Sequence, residues 1–268
     1  MSSTLHVTYL IEPDPAALAL RAAYHLTELV EEAVAARGRA RVAVSGGSTP
    51  KATFALLADP AHPFLARMPW DRLELFFVDE RTVPPDDKDS NYRMTREALL
   101  NKVNMKPEQV HRMQGELEPE VAAAEYEFDL RRSFRLEGAE APRFDVVTLG
   151  MGDDGHTASL FPHTEAIHEM GRLVVANQVP QKETWRITLT WPVINHGRRV
   201  VFLVEGAAKA EVLREVLLGG YDPDRLPAQL IRPENGQIGL LLDAEAARRL
   251  PKSGKHGDAE TGTLELTR

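Results

Sequence analysis

The sequence predicts an α/β fold, a parallel sheet covered by helices on both faces. Three observations lead there. Short apolar runs of the kind that form buried strands recur along the chain. Amphipathic helical stretches separate them, the alternation that builds parallel sheets. Polar turns, several rich in glycine, follow the apolar runs, where such sheets bind ligands.

Taken in order, Asp14-Pro15 opens the first helix, with Asp as N-cap and Pro at the first helical position. Leu18, Ala22, Leu26, Leu29, Ala33 and Ala36 keep helical spacing, and Gly38 ends it. Val42 to Val44 reads as a buried strand, Ser45 to Pro50 as a tight turn and Thr53 to Ala58 as a helix. Leu73 to Val78 is the next strand, Asp79 to Ser90 a long polar loop and Asn91 to Leu100 a helix. Val121 to Leu136 is helical, and Phe144 to Leu149 is a strand running into a glycine-rich turn. Arg186 to Thr190, Val200 to Val204 and Ile238 to Leu242 read as strands, Ala207 to Leu217 and Ala244 to Leu250 as helices. Residues 1–250 are expected to form one domain. From Pro251 periodicity fails, and 251–268 is expected to be a flexible tail.

Composition narrows the function. The 268 residues are 43% apolar and 27% charged, an ordinary globular balance with ample core. The absence of cysteine excludes disulfides, thiolate metal sites and a Cys nucleophile, and suits a reducing compartment. Met1 to Leu10 lacks a signal-peptide pattern, and no run approaches a membrane span, so a cytoplasmic protein without membrane attachment is expected. The formal charge of −8 argues against nucleic acid as a partner. An anionic ligand would need a local positive site.

Four loops offer one. In Ser45-Gly46-Gly47-Ser48-Thr49-Pro50, two glycines let the backbone close around an anion, and hydroxyls and a helix N-terminus can donate to phosphate. The spacing fits neither a Walker loop nor a nucleophile elbow, since Ala43 stands where the latter needs Gly. Asp79-Glu80-Arg81 follows a strand and, by itself, reads as a solvated loop, with Ser90-Asn91 as a helix start. Gly150-Met151-Gly152-Asp153-Asp154-Gly155-His156-Thr157 matches G-x-G-x-x-G, but two aspartates in the turn would repel a pyrophosphate, so no dinucleotide cofactor is expected. The better reading pairs Asp154 with His156, an imidazole suited to general-base work. A zinc site from Asp154, His156 and His163 has no diagnostic spacing, and no metal or other cofactor is expected. Arg186 and Lys209 can complete a phosphate site by charge-assisted hydrogen bonds.

Together these loops are far more specific than any one. Ser45 to Pro50, Asp79-Glu80-Arg81 with Ser90-Asn91, and Gly155-His156-Thr157-Ala158-Ser159-Leu160-Phe161-Pro162 resemble the 6-phosphogluconolactonase family. So do His111 to Glu116, Arg186 to Thr190, and Phe202 to Gly206 with Lys209-Ala210, and the resemblance covers roughly residues 10 to 245. It implies the modified Rossmann-like fold shared with glucosamine-6-phosphate isomerase/deaminase, and hydrolysis of 6-phosphoglucono-1,5-lactone to 6-phosphogluconate in the oxidative pentose phosphate pathway. His156 would activate water and Asp154 orient it. Arg81 or amides near Gly47 would stabilise the oxyanion. Ser45, Gly46, Gly47, Ser48, Thr49, Asp79, Asn91, Arg186 and Lys209 would hold the sugar phosphate.

The deaminase is the nearest competitor. It typically has Asp-Glu-Tyr where this chain has Asp79-Glu80-Arg81, and a Glu where Phe161 stands. Both differences favour the lactonase. An effector-binding module of a regulator would need a DNA-binding segment, and the α/β pattern begins near residue 14. His163 departs from the family, which often has Gly there. Members of the family it resembles need no partner chain in the site, so the resemblance implies a monomer.

Overall fold

The computed structural model describes residues 4–251 apart from Glu234, and residues 255–256 and 259–267. In chain order its elements are β1 (Thr4–Glu12), α1 (Pro15–Arg37), β2 (Ala40–Val44), α2 (Ser48–Leu57), α3 (Phe64–Arg67), β3 (Leu73–Phe77), β4 (Asp79–Arg81), α4 (Asn91–Ala98), β5 (Val110–His111) and α5 (Pro119–Phe134). They continue with β6 (Val146–Leu149), β7 (Val174–Val179), β8 (Thr184–Leu189), α6 (Trp191–Asn195), β9 (Arg199–Val204), α7 (Ala210–Leu218), β10 (Gln237–Asp243), α8 (Ala244–Ala247), β11 (Lys255–His256) and β12 (Ala259–Thr267).

The main sheet has the order β11-β12-β1-β10-β9-β6-β2-β3-β5. From β1 to β5 every pairing is parallel. Two apolar layers cover it. Alternation along β3 shows why: Phe76 faces a cluster with α5, α7 and the small sheet, while Leu75 and Phe77 face α1, α2 and α3. Each buried Phe of this kind contributes roughly 1.5–3 kcal/mol. Tyr126 of α5 pins the first layer to the strand: its hydroxyl accepts from Phe77 N and donates to Phe77 O, both at 2.9 Å.

Helix α1 forms as its punctuation predicts. Asp14 Oδ1 accepts from Ala17 N at 2.8 Å, and Gly38, at φ 75°, donates to Val34 O at 2.8 Å. Other elements depart from expectation. Helix α2 begins at Ser48 rather than Thr53, so Ser48, Thr49 and Pro50 are its first turn. The expected loop from Asp79 opens with β4, which pairs antiparallel with β8, and β8 with β7, in a separate three-stranded sheet. Val78 joins the two sheets: its N–H donates to Val44 O and its carbonyl accepts from Leu189 N. β1 was not expected: its polar and apolar residues alternate without an apolar run, and both its partners lie far along the chain. The segment expected to be a flexible tail includes β12, antiparallel to β1 from Thr4↔Thr267 to Ile11↔Glu260. A two-residue period supports that strand: Leu264 and Leu266 pack on the core while Thr263 and Glu265 are exposed.

Candidate active site

A cavity of about 410 Å³ opens where β2, β3, β6 and β9 end. Its wall brings together Ser45, Gly46, Gly47, Ser48, Thr49, Asp79, Arg81, Asn91, His156, Arg186 and Lys209. Of the residues selected from sequence only Asp154 is absent from the wall. It stands behind His156.

At one end is the N-terminus of α2. Gly47 caps it at φ 123°, a conformation that favours glycine, and no side chain caps the first turn. Unpaired helical N–H groups and the positive end of the helix dipole therefore meet the cavity, an arrangement that binds anions. Ser45 Oγ is buried in the same wall without a partner. Gly46 is required by close packing, since a Cβ there would lie 1.8 Å from Asn91 Oδ1. Asn91 is held in turn by Asp79, its Nδ2 donating to the Asp79 carbonyl at 3.0 Å. Asp79 Oδ2 accepts from Ser159 Oγ at 2.6 Å.

The charged triplet after β3 is built in rather than solvated. Asp79 and Glu80 are buried, and Glu80 accepts from Asn91 N at 2.7 Å, Tyr92 N at 2.8 Å and Ser90 Oγ at 3.0 Å. It thereby seals the first turn of α4. Burial pushes its carboxyl up, and the backbone hydrogen bonds to Tyr92, Asn91 and Arg81 oppose that rise.

Arg81 continues the strand and lies in register opposite Arg186 of β8. Like charges directly opposed across strands repel. Burial, then the Arg81 charge, push the Arg186 guanidinium down. Lys182 and Lys209 join them in the wall. Among the described residues none of these four cations forms an ion pair with a carboxylate. The Arg81 guanidinium donates to the Asp89 carbonyl, and Arg186 Nη1 to Thr184 Oγ1 and the Trp185 carbonyl, both at 2.9 Å. The one carboxylate of the wall on the α2 side, Glu205, accepts from Ser48 Oγ.

The turn after β6 presents His156. Gly152 N donates to His156 O at 2.9 Å, and a Cβ on Gly152 would lie 2.0 Å from His156 Nδ1. His156 Nδ1 is 2.5 Å from Asp154 Oδ1, which also accepts His156 N at 3.1 Å. Burial pushes the Asp154 carboxyl up, but the hydrogen bond and charge of His156 outweigh it and hold the carboxyl at about 2. Asp154 is then an acceptor only, so in the neutral imidazole Nδ1 is the nitrogen that carries the proton and Nε2 the one with the lone pair. Phe161 stacks on the imidazole with ring centroids 4.1 Å apart and 24° between planes, and Lys182 Nζ lies 5.7 Å from the Phe161 centroid.

His163 stays out of the cavity wall; its N–H donates to Asp224 O at 3.0 Å, and φ is 59°. Sequence reading missed Lys182, Ser159 and Glu205 as wall residues. Lys182 sits on the β7–β8 turn and had no local signal. Ser159 and Glu205 lay inside recognised segments, and only the fold shows where their side chains go.

A family model described as glucosamine-6-phosphate isomerases/6-phosphogluconolactonase matches residues 13–240. A 6-phosphogluconolactonase of Synechocystis sp. is 42% identical over 86% of this chain and 92% of its own length. One of Mycobacterium tuberculosis is 39% identical over 94% of this chain and 100% of its own length. Among solved structures, 6-phosphogluconolactonase from Trypanosoma cruzi superposes with a TM-score of 0.78 at 32% identity, covering 90% of this chain and 96% of that one. A monomeric glucosamine-6-phosphate deaminase, at 20% identity and TM-score 0.74, shares the fold.

Proposed function

The chain belongs to the glucosamine-6-phosphate isomerase/6-phosphogluconolactonase family, and from that premise we propose how its residues divide the work of opening a sugar-phosphate lactone. The reaction is hydrolysis of 6-phospho-D-glucono-1,5-lactone to 6-phospho-D-gluconate, a step of the oxidative pentose phosphate pathway. A lactone is an activated ester, so a positioned and deprotonated water suffices without a covalent intermediate. His156 Nε2 takes the proton from that water as its oxygen attacks C1. The tetrahedral intermediate then collapses, the bond from C1 to the ring oxygen breaks, and His156 returns the proton to that oxygen. Asp154 fixes the tautomer and holds the imidazolium that forms between the two transfers.

The α2 N-terminus with Ser45 to Thr49, together with Arg186 and Lys209, holds the phosphate. Arg81 faces the developing oxyanion, where a preorganised cation lowers the barrier. Asp79 and Asn91 hold sugar hydroxyls while shaping the loop around Gly46. Binding energy gathered at the phosphate orients C1 against the water. A cytoplasmic monomer is part of the same reading.

One observation carries it: an Asp-oriented imidazole shares a cavity with four cations that have no carboxylate partner among the described residues. The deaminase alternative needs a carboxylate where Phe161 packs against His156. The test is hydrolysis of lactone generated in situ, measured above the spontaneous rate. Acceleration by the wild type that Arg186→Ala weakens chiefly through KM supports the division of roles. No acceleration overturns the reading.

A further inference from the structure

Strands β2, β6 and β9 carry the cavity at their C-terminal ends. Their N-terminal ends carry a second cluster of charge that the reaction does not use. Asp145, just before β6, is 6% exposed. Its Oδ1 lies 2.7 Å from Arg37 Nε at the end of α1 and 3.4 Å from Arg198 Nε just before β9. Its Oδ2 accepts from Arg41 N at 2.8 Å. Arg143 approaches from the same turn, and its Nη2 donates to Asn235 O at 2.8 Å.

Two guanidiniums, of Arg37 and Arg198, thus share one carboxylate, and the Arg143 charge lies close enough to act on Arg198. Glu74, beside this cluster, is already engaged by Arg39 and Arg41, at 3.4 and 2.7 Å. Among the described residues neither Arg143 Nε nor Arg198 Nε, both buried, completes a hydrogen bond, Arg198 Nε being held to Asp145 by charge alone. A buried donor without an acceptor is unfavourable, and an incoming acceptor would relieve it. Crowding is visible in the charges too: burial, then Arg143 and Arg37, push the Arg198 guanidinium down. A chain with net charge −8 has concentrated positive charge here and left donors open.

We propose that Arg37, Arg143 and Arg198 form a second anion site, at the N-terminal edge of the sheet, which takes a tetrahedral phosphate group. Guanidinium forks match phosphate oxygens in pairs, and a dianion would balance the two surplus charges beside Asp145. The group is either free phosphate or the head of a phosphate monoester.

The test compares thermal unfolding in inorganic phosphate with chloride at equal ionic strength. In wild type, phosphate is expected to raise the midpoint by about 2–4 °C. The Arg143→Gln/Arg198→Gln variant should lose the larger part of that shift, keeping only what the catalytic cavity contributes, while retaining lactone hydrolysis. Arg186→Ala, which weakens the catalytic cavity, should keep that larger part. A shift of equal size in the double variant, or one abolished by Arg186→Ala, overturns the proposal. If the double variant does not fold, calorimetric titration of Arg143→Gln with phosphate serves instead, with at least a tenfold loss of affinity expected and an unchanged affinity refuting the site. Glycerol 3-phosphate run in parallel separates the sources: tighter binding than inorganic phosphate identifies an ester, weaker binding the free ion.

Discussion

His156 and Asp154 sit two residues apart on a turn that glycines close so tightly that Gly152 has no room for a side chain. The expected consequence of His156→Ala is a fall in kcat of about 10²- to 10⁴-fold with little change in KM, read from steady-state kinetics. Asp154→Asn should retain the base but lose its fixed tautomer, because an amide can donate to Nδ1 as well as accept. A loss of kcat on the order of 10²-fold is expected, smaller than for His156→Ala. The same carboxylate makes a stability prediction. Its pKa in the folded protein, about 2, lies below the ordinary value of 3.8, so the unfolded chain binds its proton more readily. Stability from the pair is present above about pH 4 and is lost as pH falls through about 2. Denaturant titrations of wild type and Asp154→Asn should therefore differ above about pH 4 and converge toward pH 2. Most of these residues were legible in the sequence because chemistry fixes their type and neighbours. Lys182 was not, since a lysine on a turn has no signature until the fold swings it over Phe161.

At the level of elements, punctuation was readable and partnership was not. Asp14, Pro15 and Gly38 bound α1 as expected, because capping is local. Asp79-Glu80-Arg81 read as a solvated loop because the acceptors and donors that bury it come from α4 and from Ser159, residues remote in sequence. Glu80 behaves as a clasp on α4. Replacing it by Ala removes the acceptor for Asn91 N and Tyr92 N and releases the helix start on which Asn91 stands. A destabilisation of about 1–3 kcal/mol is expected from the orphaned donors, with a rise in KM because Asn91 shapes the loop around Gly46. Tyr126→Phe is the matching test on the other face of the sheet. It leaves Phe77 N and O without their buried partner, and chemical denaturation should show a loss of similar size with catalysis intact.

The whole molecule was legible as an α/β sheet with its ligand edge identified, because the strands that carry the cavity are the apolar ones. Its margins were not. β1 and β12 alternate polar and apolar residues and become strands only by pairing with each other and with β10. A chain ending at Leu250 would leave β1 as an unpaired edge, and a lower thermal midpoint with concentration-dependent association is the expected outcome, measurable by unfolding and light scattering. That pairing also orders events during synthesis. β1 leaves the ribosome well before β10 and β12, so Thr8 waits for Gly239 and Thr263, its neighbours on either side, until those distant segments have been made. Until β10 emerges the nascent chain carries a strand with neither edge satisfied, so an element made early is secured late.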